Sequence, residues 1–163
     1  LMAYTYAQLY GLKSTGLRFF TVYGPWGRPD MAPLLFSRAV LAGRSIDVFN
    51  DGQMRRDFTH VSDIVAGILG ALSHPSAQAT PHQVFNLGNH TPVELEHFID
   101  VIASAAGHPA HKVYKPMQPG DMVETMADTS RAQAAFGYAP DTPIELGLPP
   151  VVEWCRNYFG SSA

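Results

Sequence analysis

A mainly apolar run of seven residues, Leu17–Tyr23, constrains the fold of this chain more than any other feature of the sequence. Its length and its β-branched and aromatic composition predict a strand that is buried on both faces, as in a parallel sheet. The residues before it recur at helical spacing, so we predict a helix over residues 1–12 that Gly11 ends, with Gly16 in the following turn. The apolar face of this helix consists of Met2, Tyr6, Leu9 and Tyr10.

Short predicted strands and helices alternate through the rest of the chain. We predict helices over residues 32–42, from Asp63, over 130–136 and over 144–159, and strands over Ile46–Phe49, Gln83–Leu87 and Val113–Tyr114. The helix from Asp63 has an apolar face made of Ile64, Ile68, Ala71 and Leu72. Thr91-Pro92-Val93-Glu94 has the pattern of a capping box, which predicts a further helix that ends at Gly107. The result is a mixed α/β chain whose strands do not close into a self-sufficient sheet.

Composition excludes several classes of protein. Hydrophobic residues make up 46% of the 163 residues and charged residues 15%, which is typical of a globular domain. The net charge of −3 gives no reason to expect nucleic acid or an anionic membrane as a partner. The single cysteine, Cys155, excludes an internal disulfide and is compatible with a reducing compartment. The first residues, Leu1-Met2-Ala3-Tyr4, carry no helix cap, and we expect the chain to be part of a longer protein.

Three polar features stand at strand ends and turns, where a binding site could form. Arg55 and Arg56 follow an Asp-Gly turn, and the guanidinium fork suits phosphate oxygens, although a solvated or Asp-paired surface pair has the same sequence. Asp121 follows the corner Pro119-Gly120, which is also explained as an ordinary turn. Thr21 lies late in the apolar run, where open α/β sheets bind ligands, but a buried core residue is an equal alternative.

The common cofactor and nucleophile motifs are missing from the sequence, which contains no Gly-rich dinucleotide loop, Walker loop, G-x-S-x-G elbow or HExxH. Gly67 and Gly70 lie inside a helical pattern, which indicates helix packing. No further ligand stands near His108 and His111, so we predict exposed loop histidines and no metal site.

Four segments carry a more specific signal: residues 17–32 (LRFFTVYGPWGRPDMA), 48–65 (VFNDGQMRRDFTHVSDIV), 85–89 (FNLGN) and 118–121 (QPGD). In this order they resemble UDP-glucuronate 4-epimerases of the extended short-chain dehydrogenase/reductase superfamily, over about residues 1–159. The resemblance implies an α/β fold: the C-terminal substrate-binding part of such an enzyme, with one or two late Rossmann strands and without the N-terminal Rossmann half. One nucleotide-sugar-binding region would span residues 1–163, with the end of the catalytic helix and a late Rossmann strand in 1–24 and the substrate-binding part in 25–163.

The resemblance implies which residues meet the sugar and the base of a UDP-sugar. Thr21 takes the place of the residue that contacts the hexose. Galactose epimerases usually have asparagine there, so the threonine favours a uronate. The backbone around Asp47 and Phe49 corresponds to the segment that reads the uracil edge.

Phosphate and ribose contacts are implied in the same way. Arg28 corresponds to an arginine of the loop that closes on the nucleotide sugar, and Arg56 to the arginine that clamps the diphosphate. Asp121 corresponds to the acid that reaches the uridine ribose. Gln118 stands where galactose epimerases often have arginine, in agreement with the glucuronate type.

The resemblance places the cofactor, NAD, beside the end of the early strand, where Phe19, Phe20 and Val22 would lie near the nicotinamide. The family's dinucleotide loop, its Ser/Thr and its Tyr-x-x-x-Lys pair would all precede Leu1, and Tyr10 and Lys13 are one residue too close to be that pair. We therefore expect no catalytic residue in this chain, and neither NAD binding nor activity by the chain alone. The parent would be an NAD-dependent isomerase that inverts C4 of UDP-glucuronate to give UDP-galacturonate.

Two alternatives stay open. Related UDP-sugar decarboxylases and dehydratases share the segment around residues 51–58, although residues 21–30 speak against them. The chain could instead be an inactive, self-associating fragment, because its first helix resembles part of the helix pair through which these enzymes form homodimers. The resemblance further implies a UDP-sugar as partner and a cytoplasmic location.

Overall fold

A computed structural model describes residues 1–75 and 81–160, in which six helices alternate with eight short strands. The helices are α1 (Met2–Tyr10), α2 (Ala32–Leu41), α3 (Val61–Ser73), α4 (Leu95–Ala106), α5 (Ser130–Phe136) and α6 (Ile144–Gly160). The strands are β1 (Ser14–Phe19), β2 (Thr21–Tyr23), β3 (Ser45–Phe49), β4 (Arg55–Arg56), β5 (Phe58–His60), β6 (His82–Leu87), β7 (Val93–Glu94) and β8 (His111–Lys115). The predicted α/β class and the predicted positions of most of these elements are confirmed.

The early apolar run forms two strands with different partners. β1 pairs in parallel with β6, and the amide of Phe20 extends this pairing by donating to the Leu87 carbonyl at 3.1 Å. β2 then leaves β6 and pairs in parallel with β5, starting with Thr21 opposite Phe58. The prediction of one strand buried on both faces is therefore wrong, since the chain changes partner after Phe20 and Phe19 is exposed. Gly16 lies inside β1 and not in a turn.

Three helices, α2, α4 and α6, enclose the largest apolar cluster of the molecule. The ring of Phe98 from α4 stacks on Phe58 from β5 with centroids 3.9 Å apart. A second cluster lies between β3, α2 and α4, and a third between α3, α5 and β6. The prediction of helix packing at Gly67 is confirmed, because a Cβ there would lie 2.8 Å from Leu87 and 2.9 Å from Tyr138.

The predicted capping box is wrong. Val93 and Glu94 form β7, which pairs antiparallel with β4, and α4 begins only at Leu95. The Leu95 amide donates to the Met54 carbonyl at 2.9 Å, so tertiary pairing takes the backbone groups that a cap would have used. The predicted end of this helix is confirmed, since Gly107 has the left-handed φ of 73° that helix C-caps favour.

The apolar faces predicted for the first helix and for α3 are only partly covered within the chain. Ala7 is the buried residue of α1, while its predicted apolar face is exposed. On α3, Ile64 and Ala71 are buried, but Leu72 is 72% exposed. No helix among residues 1–75 and 81–160 combines the length and apolar character needed to span a bilayer.

Candidate nucleotide-sugar site

A cavity of ≈ 270 Å³ opens between β2, the start of α2, β3 and β4. Four of the six residues assigned to the nucleotide sugar line it: Thr21, Asp47, Phe49 and Arg56. The remaining lining residues are Asp30, Met31, Ala32, Phe36, Met54, Phe58 and Leu95. The volume lies just below the roughly 300–1,000 Å³ of small-molecule pockets, so the cavity suits part of a nucleotide sugar.

Strand alternation in β3 explains why Asp47 and Phe49 reach the cavity together. Successive side chains of a strand point to opposite faces. Ile46 and Val48 are buried in the second apolar cluster, so Asp47 and Phe49 share the other face. Lys115 from the neighbouring β8 holds the carboxylate of Asp47 at 2.6 Å.

Arg56 is positioned by pairing on both edges of β4. On one edge β7 pairs with β4, and on the other the Arg55 amide donates to the Val123 carbonyl at 2.9 Å. The side chain of Arg56 is largely buried, and its Nη1 donates to the Arg55 carbonyl at 3.2 Å. This leaves the guanidinium at the cavity wall, while the neighbouring Arg55 turns outward to Glu124 at 3.1 Å.

Asp121 does not line the cavity but contacts it through Arg56. Its Oδ1 lies 3.5 Å from Nη2 of Arg56. The strand-like segment that follows it, residues 123–125, is the one that pairs with Arg55, which fixes the turn next to β4. The two residues are therefore neighbours in space, although 65 positions separate them in the sequence.

Arg28 does not line the cavity either. Its Nε donates to Asp30 at 3.1 Å, and both side chains are largely exposed. The hydrogen bonds from Arg28 hold the pKa of Asp30 below its usual value. Asp30 itself lines the cavity, so Arg28 is tethered at the cavity's edge by a residue that the sequence did not single out.

The charges of the cavity are nearly balanced. Asp30 and Asp47 contribute two carboxylates and Arg56 one cation, and Arg28 and Lys115 neutralise the carboxylates from outside. A diphosphate would gain a second cation if Arg28 exchanged Asp30 for a phosphate oxygen. Both side chains of the Arg28–Asp30 pair are largely exposed, so solvent screens their attraction and this exchange costs little.

The three residues assigned to the cofactor do not line this cavity. Phe19 is exposed at the carboxyl end of β1, and Val22 packs against the third apolar cluster. Phe20 lies between them at the change of strand partner. Their proximity to a nicotinamide stays a prediction.

Sequence reasoning missed Asp57, a fully buried carboxylate next to Arg56. Its oxygens accept hydrogen bonds from the amides of Asn89 at 2.6 Å, His90 at 3.0 Å and Ala127 at 2.7 Å, and from the Thr59 hydroxyl at 3.3 Å. Asp57 thus joins two separate loops, one at Asn89 and His90 and one at Ala127, to the start of β5. The sequence signal that could have pointed to Asp57 is its position in the segment Arg55–Phe58, directly after Arg56.

Two buried tyrosines, Tyr23 and Tyr138, do not line the cavity. Burial raises the pKa of Tyr23 and of Tyr138 well above the usual range, with nearby carboxylates adding to the effect. Tyr138 donates to the Gly88 carbonyl at 3.1 Å.

The described residues contain no group of three or more His, Cys, Asp or Glu side chains that could hold a metal ion. His108 and His111 are exposed, as predicted, but only His108 lies in a loop, since His111 begins β8.

Comparison with known proteins decides the family. Residues 1–88 match the NAD dependent epimerase/dehydratase family. The chain belongs to this family. A probable UDP-glucuronate 4-epimerase from Rhizobium meliloti (strain 1021) is 42% identical over 175 residues, which cover 97% of this chain and 51% of the relative.

Solved epimerases share the fold. A UDP-glucuronic acid 4-epimerase from Bacillus cereus, in complex with UDP-glucuronic acid and NAD, superposes with a TM-score of 0.85 at 29% identity, over 94% of this chain and 48% of that one. A UDP-glucose 4-epimerase from Thermotoga maritima, with UDP-glucose, gives a TM-score of 0.86 at 29% identity, over 97% and 50%. The fold is thus that of part of an extended short-chain dehydrogenase/reductase.

The chain spans about half the length of the bacterial curated relatives that it matches. Neighbours that bind different sugars superpose about equally well, so the fold by itself does not select the sugar.

Proposed function

We propose that this chain is the nucleotide-sugar-binding part of an NAD-dependent UDP-sugar 4-epimerase whose substrate is UDP-glucuronate and whose product is UDP-galacturonate. The observation that carries the proposal is the cavity that brings Thr21, Asp47, Phe49 and Arg56 together from three separate segments. Similarity to a probable UDP-glucuronate 4-epimerase over 97% of the chain supports it.

In this proposal the chain grips the end of the substrate that does not react. Arg56 binds the diphosphate from the cavity wall, and Arg28 joins it after leaving Asp30. Charge-assisted contacts of this kind are among the strongest hydrogen bonds. Phe49 and the backbone around Asp47 bind the uracil, and Asp121, held beside Arg56, reaches the ribose.

Thr21 would meet the sugar. Inversion at C4 requires the sugar to turn over, so contacts there must be few, and Thr21 contributes a single small side chain to the cavity lining. The oxidised sugar is a β-keto acid that loses carbon dioxide easily. We assign to Thr21 the role of holding the C5 carboxylate in an orientation that disfavours this loss.

NAD would supply hydride transfer when bound. Phe19 is the residue of this chain that fits the nicotinamide, because its ring is exposed at the carboxyl end of a parallel strand, where α/β sheets bind ligands. Phe20 and Val22 would shape the same edge. We expect the chain alone to lack both NAD binding and activity.

The proposal includes two further expectations, a homodimer and a cytoplasmic location. The exposed apolar face of α1, with Tyr6 and Leu9 on it, would pair with a second copy of the chain to form a homodimer. The location would be cytoplasmic, where nucleotide sugars and NAD are available to the family.

Binding of uridine ligands tests the proposal. We would measure the thermal stability of the chain with UDP-glucuronate, UDP and NAD added separately. A ligand that binds only the folded state stabilises it by about 2.7 kcal/mol at a hundredfold excess over Kd. We expect a shift with both uridine ligands and none with NAD.

Adjacent arginines provide the matched variants. Arg56→Gln should abolish the shift, because it removes the cation at the cavity wall, and Arg55→Gln should keep it, because Arg55 faces Glu124. Equal losses in the two variants, or no shift with any uridine ligand, would contradict the proposal. The latter result would favour the alternative of an inactive, self-associating fragment, which the exposed face of α1 makes a specific competitor.

A further inference from the structure

Trp26 is held in a backbone conformation that a bulky residue rarely adopts. Its φ is +64°, in the left-handed region that favours glycine, asparagine and aspartate. Its side chain is nevertheless 74% exposed, so burial in the core does not explain the conformation. Local strain of this kind persists only where surrounding contacts impose it, and it concentrates at functional sites.

The contacts that impose it come from the end of α6. The ring of Trp26 lies 5.2 Å from Trp154 and 5.5 Å from Tyr158, in tilted and edge-to-face arrangements. Trp154 and Tyr158 stack on each other at 5.1 Å, and Phe159 packs against both. We call Trp154, Tyr158 and Phe159 the aromatic platform. Its base is fixed, because Trp154 and Phe159 pack against the main apolar cluster.

The segment that Trp26 belongs to, residues 24–31, runs from the end of β2 to the cavity. Gly24 fixes one end, since a Cβ there would lie 2.5 Å from Val61. Met31 fixes the other end as the N-cap of α2 and lines the cavity together with Asp30. Between these ends, Trp26 stacks on the aromatic platform, and Gly27 lies against α2, since a Cβ there would be 3.4 Å from Leu34.

We propose that Trp26 is a positioning residue: by stacking on the aromatic platform it holds residues 24–31 so that Asp30 forms the cavity wall and Arg28 stands within reach of the diphosphate. The inference rests on the proposed function for the ligand of Arg28, which is the diphosphate. The stacking of Trp26 on the aromatic platform, which we call the latch, does not depend on that function. Because the guanidinium of Arg28 donates to Asp30 of the same segment, its place depends on the conformation of this segment.

The latch can be broken from either side without disturbing the core. Trp26→Asn removes the ring while keeping a residue that accepts a positive φ, and Tyr158→Ala removes an exposed partner ring. Trp26→Phe keeps an aromatic ring at this position and should preserve the stacking on the aromatic platform. Leu146→Ala, an exposed apolar residue at the other end of α6, is the matched control.

Two measurements distinguish a loss of the stacking from a loss of ligand binding: hydrogen exchange and the Kd for UDP. Hydrogen exchange of the Met31 amide, which donates to the Arg28 carbonyl at 3.3 Å, should become about tenfold faster in Trp26→Asn and in Tyr158→Ala, because local opening is no longer opposed by stacking. Exchange in the double variant of Trp26→Asn and Tyr158→Ala should be little faster than in either single variant, since both changes remove the same stacking interaction. The Kd for UDP should weaken about threefold to tenfold, as the cost of ordering Arg28 moves to the binding step. Trp26→Phe and Leu146→Ala should stay near wild type in both measurements.

Unchanged exchange in Trp26→Asn would overturn the latch. Faster exchange with an unchanged Kd for UDP would overturn its role in the site. If the wild-type chain does not bind UDP, the proposed function fails, while the exchange measurement still decides whether Trp26 holds the segment.

Discussion

The helices on the two sides of the molecule have similar apolar periodicity but different surroundings. On the side of α2, α4 and α6, which we call the closed side, Phe98 and Leu148 are 0% exposed. On the side of α1 and α3, which we call the open side, large apolar residues such as Leu9 and Leu69 stay in solvent. An amphipathic pattern thus shows that a helix face needs a partner, but not that the same chain supplies it.

The largest expected effect lies on the closed side. Phe98→Ala should lower the free energy of unfolding by about 3–5 kcal/mol, because it removes a fully buried ring that stacks on Phe58 and leaves a cavity. Urea denaturation measures this change. Leu72→Ala on the open side is the control and should change stability by less than about 0.5 kcal/mol. Similar losses of stability in the two variants would contradict the difference between the closed and the open side.

The next largest effect on stability is expected at Asp57, the buried carboxylate that joins two loops. Asp57→Asn should cost about 2–3 kcal/mol, because the amide NH₂ cannot accept the hydrogen bonds that one carboxylate oxygen receives from His90 and Ala127. Asp100→Asn, at an exposed carboxylate paired with Lys112, should cost less than about 1 kcal/mol. Denaturant midpoints of the two variants that coincide would show that the buried network contributes nothing specific.

A smaller effect of opposite sign is expected at Tyr23. Its hydroxyl is buried beside Gly147 and has no hydrogen-bond partner among the described residues. Tyr23→Phe should therefore stabilise the closed side by up to about 1 kcal/mol, because an unsatisfied polar group is removed. Calorimetry would detect the rise in Tm. A clear loss of stability would mean that the hydroxyl is satisfied in solution.

The smallest effect on folding, but the sharpest on association, belongs to the open side. Leu9→Lys on α1 should leave the stability of the monomer within about 0.5 kcal/mol and weaken the proposed dimer. Leu69→Lys on α3 should leave both unchanged, because α3 is not assigned to the dimer. Sedimentation velocity distinguishes the two variants. A dimer that survives Leu9→Lys, or dissociates in Leu69→Lys, would place the interface elsewhere.

Local signals predicted most elements of the fold. Gly11, Gly43, Gly107 and Gly137 follow helices with left-handed φ angles, and the strand predicted over Ile46–Phe49 lies within β3. The failures are at Phe20, where one predicted strand becomes two, and at Val93, where a predicted helix start becomes β7. In both places pairing with a distant strand replaces the locally favoured structure.

The sequence by itself determined the α/β class, the order of the elements and, through four ordered segments, the residues proposed for the site. Only the tertiary structure decided which of them meet: Arg56 faces the cavity and Arg55 does not, Asp121 comes beside Arg56, and Asp30 and Trp26 together control where Arg28 stands. The physical reason is that helix and strand signals depend on neighbours a few residues apart. A binding site depends instead on backbone pairing and packing between segments that are distant in the sequence.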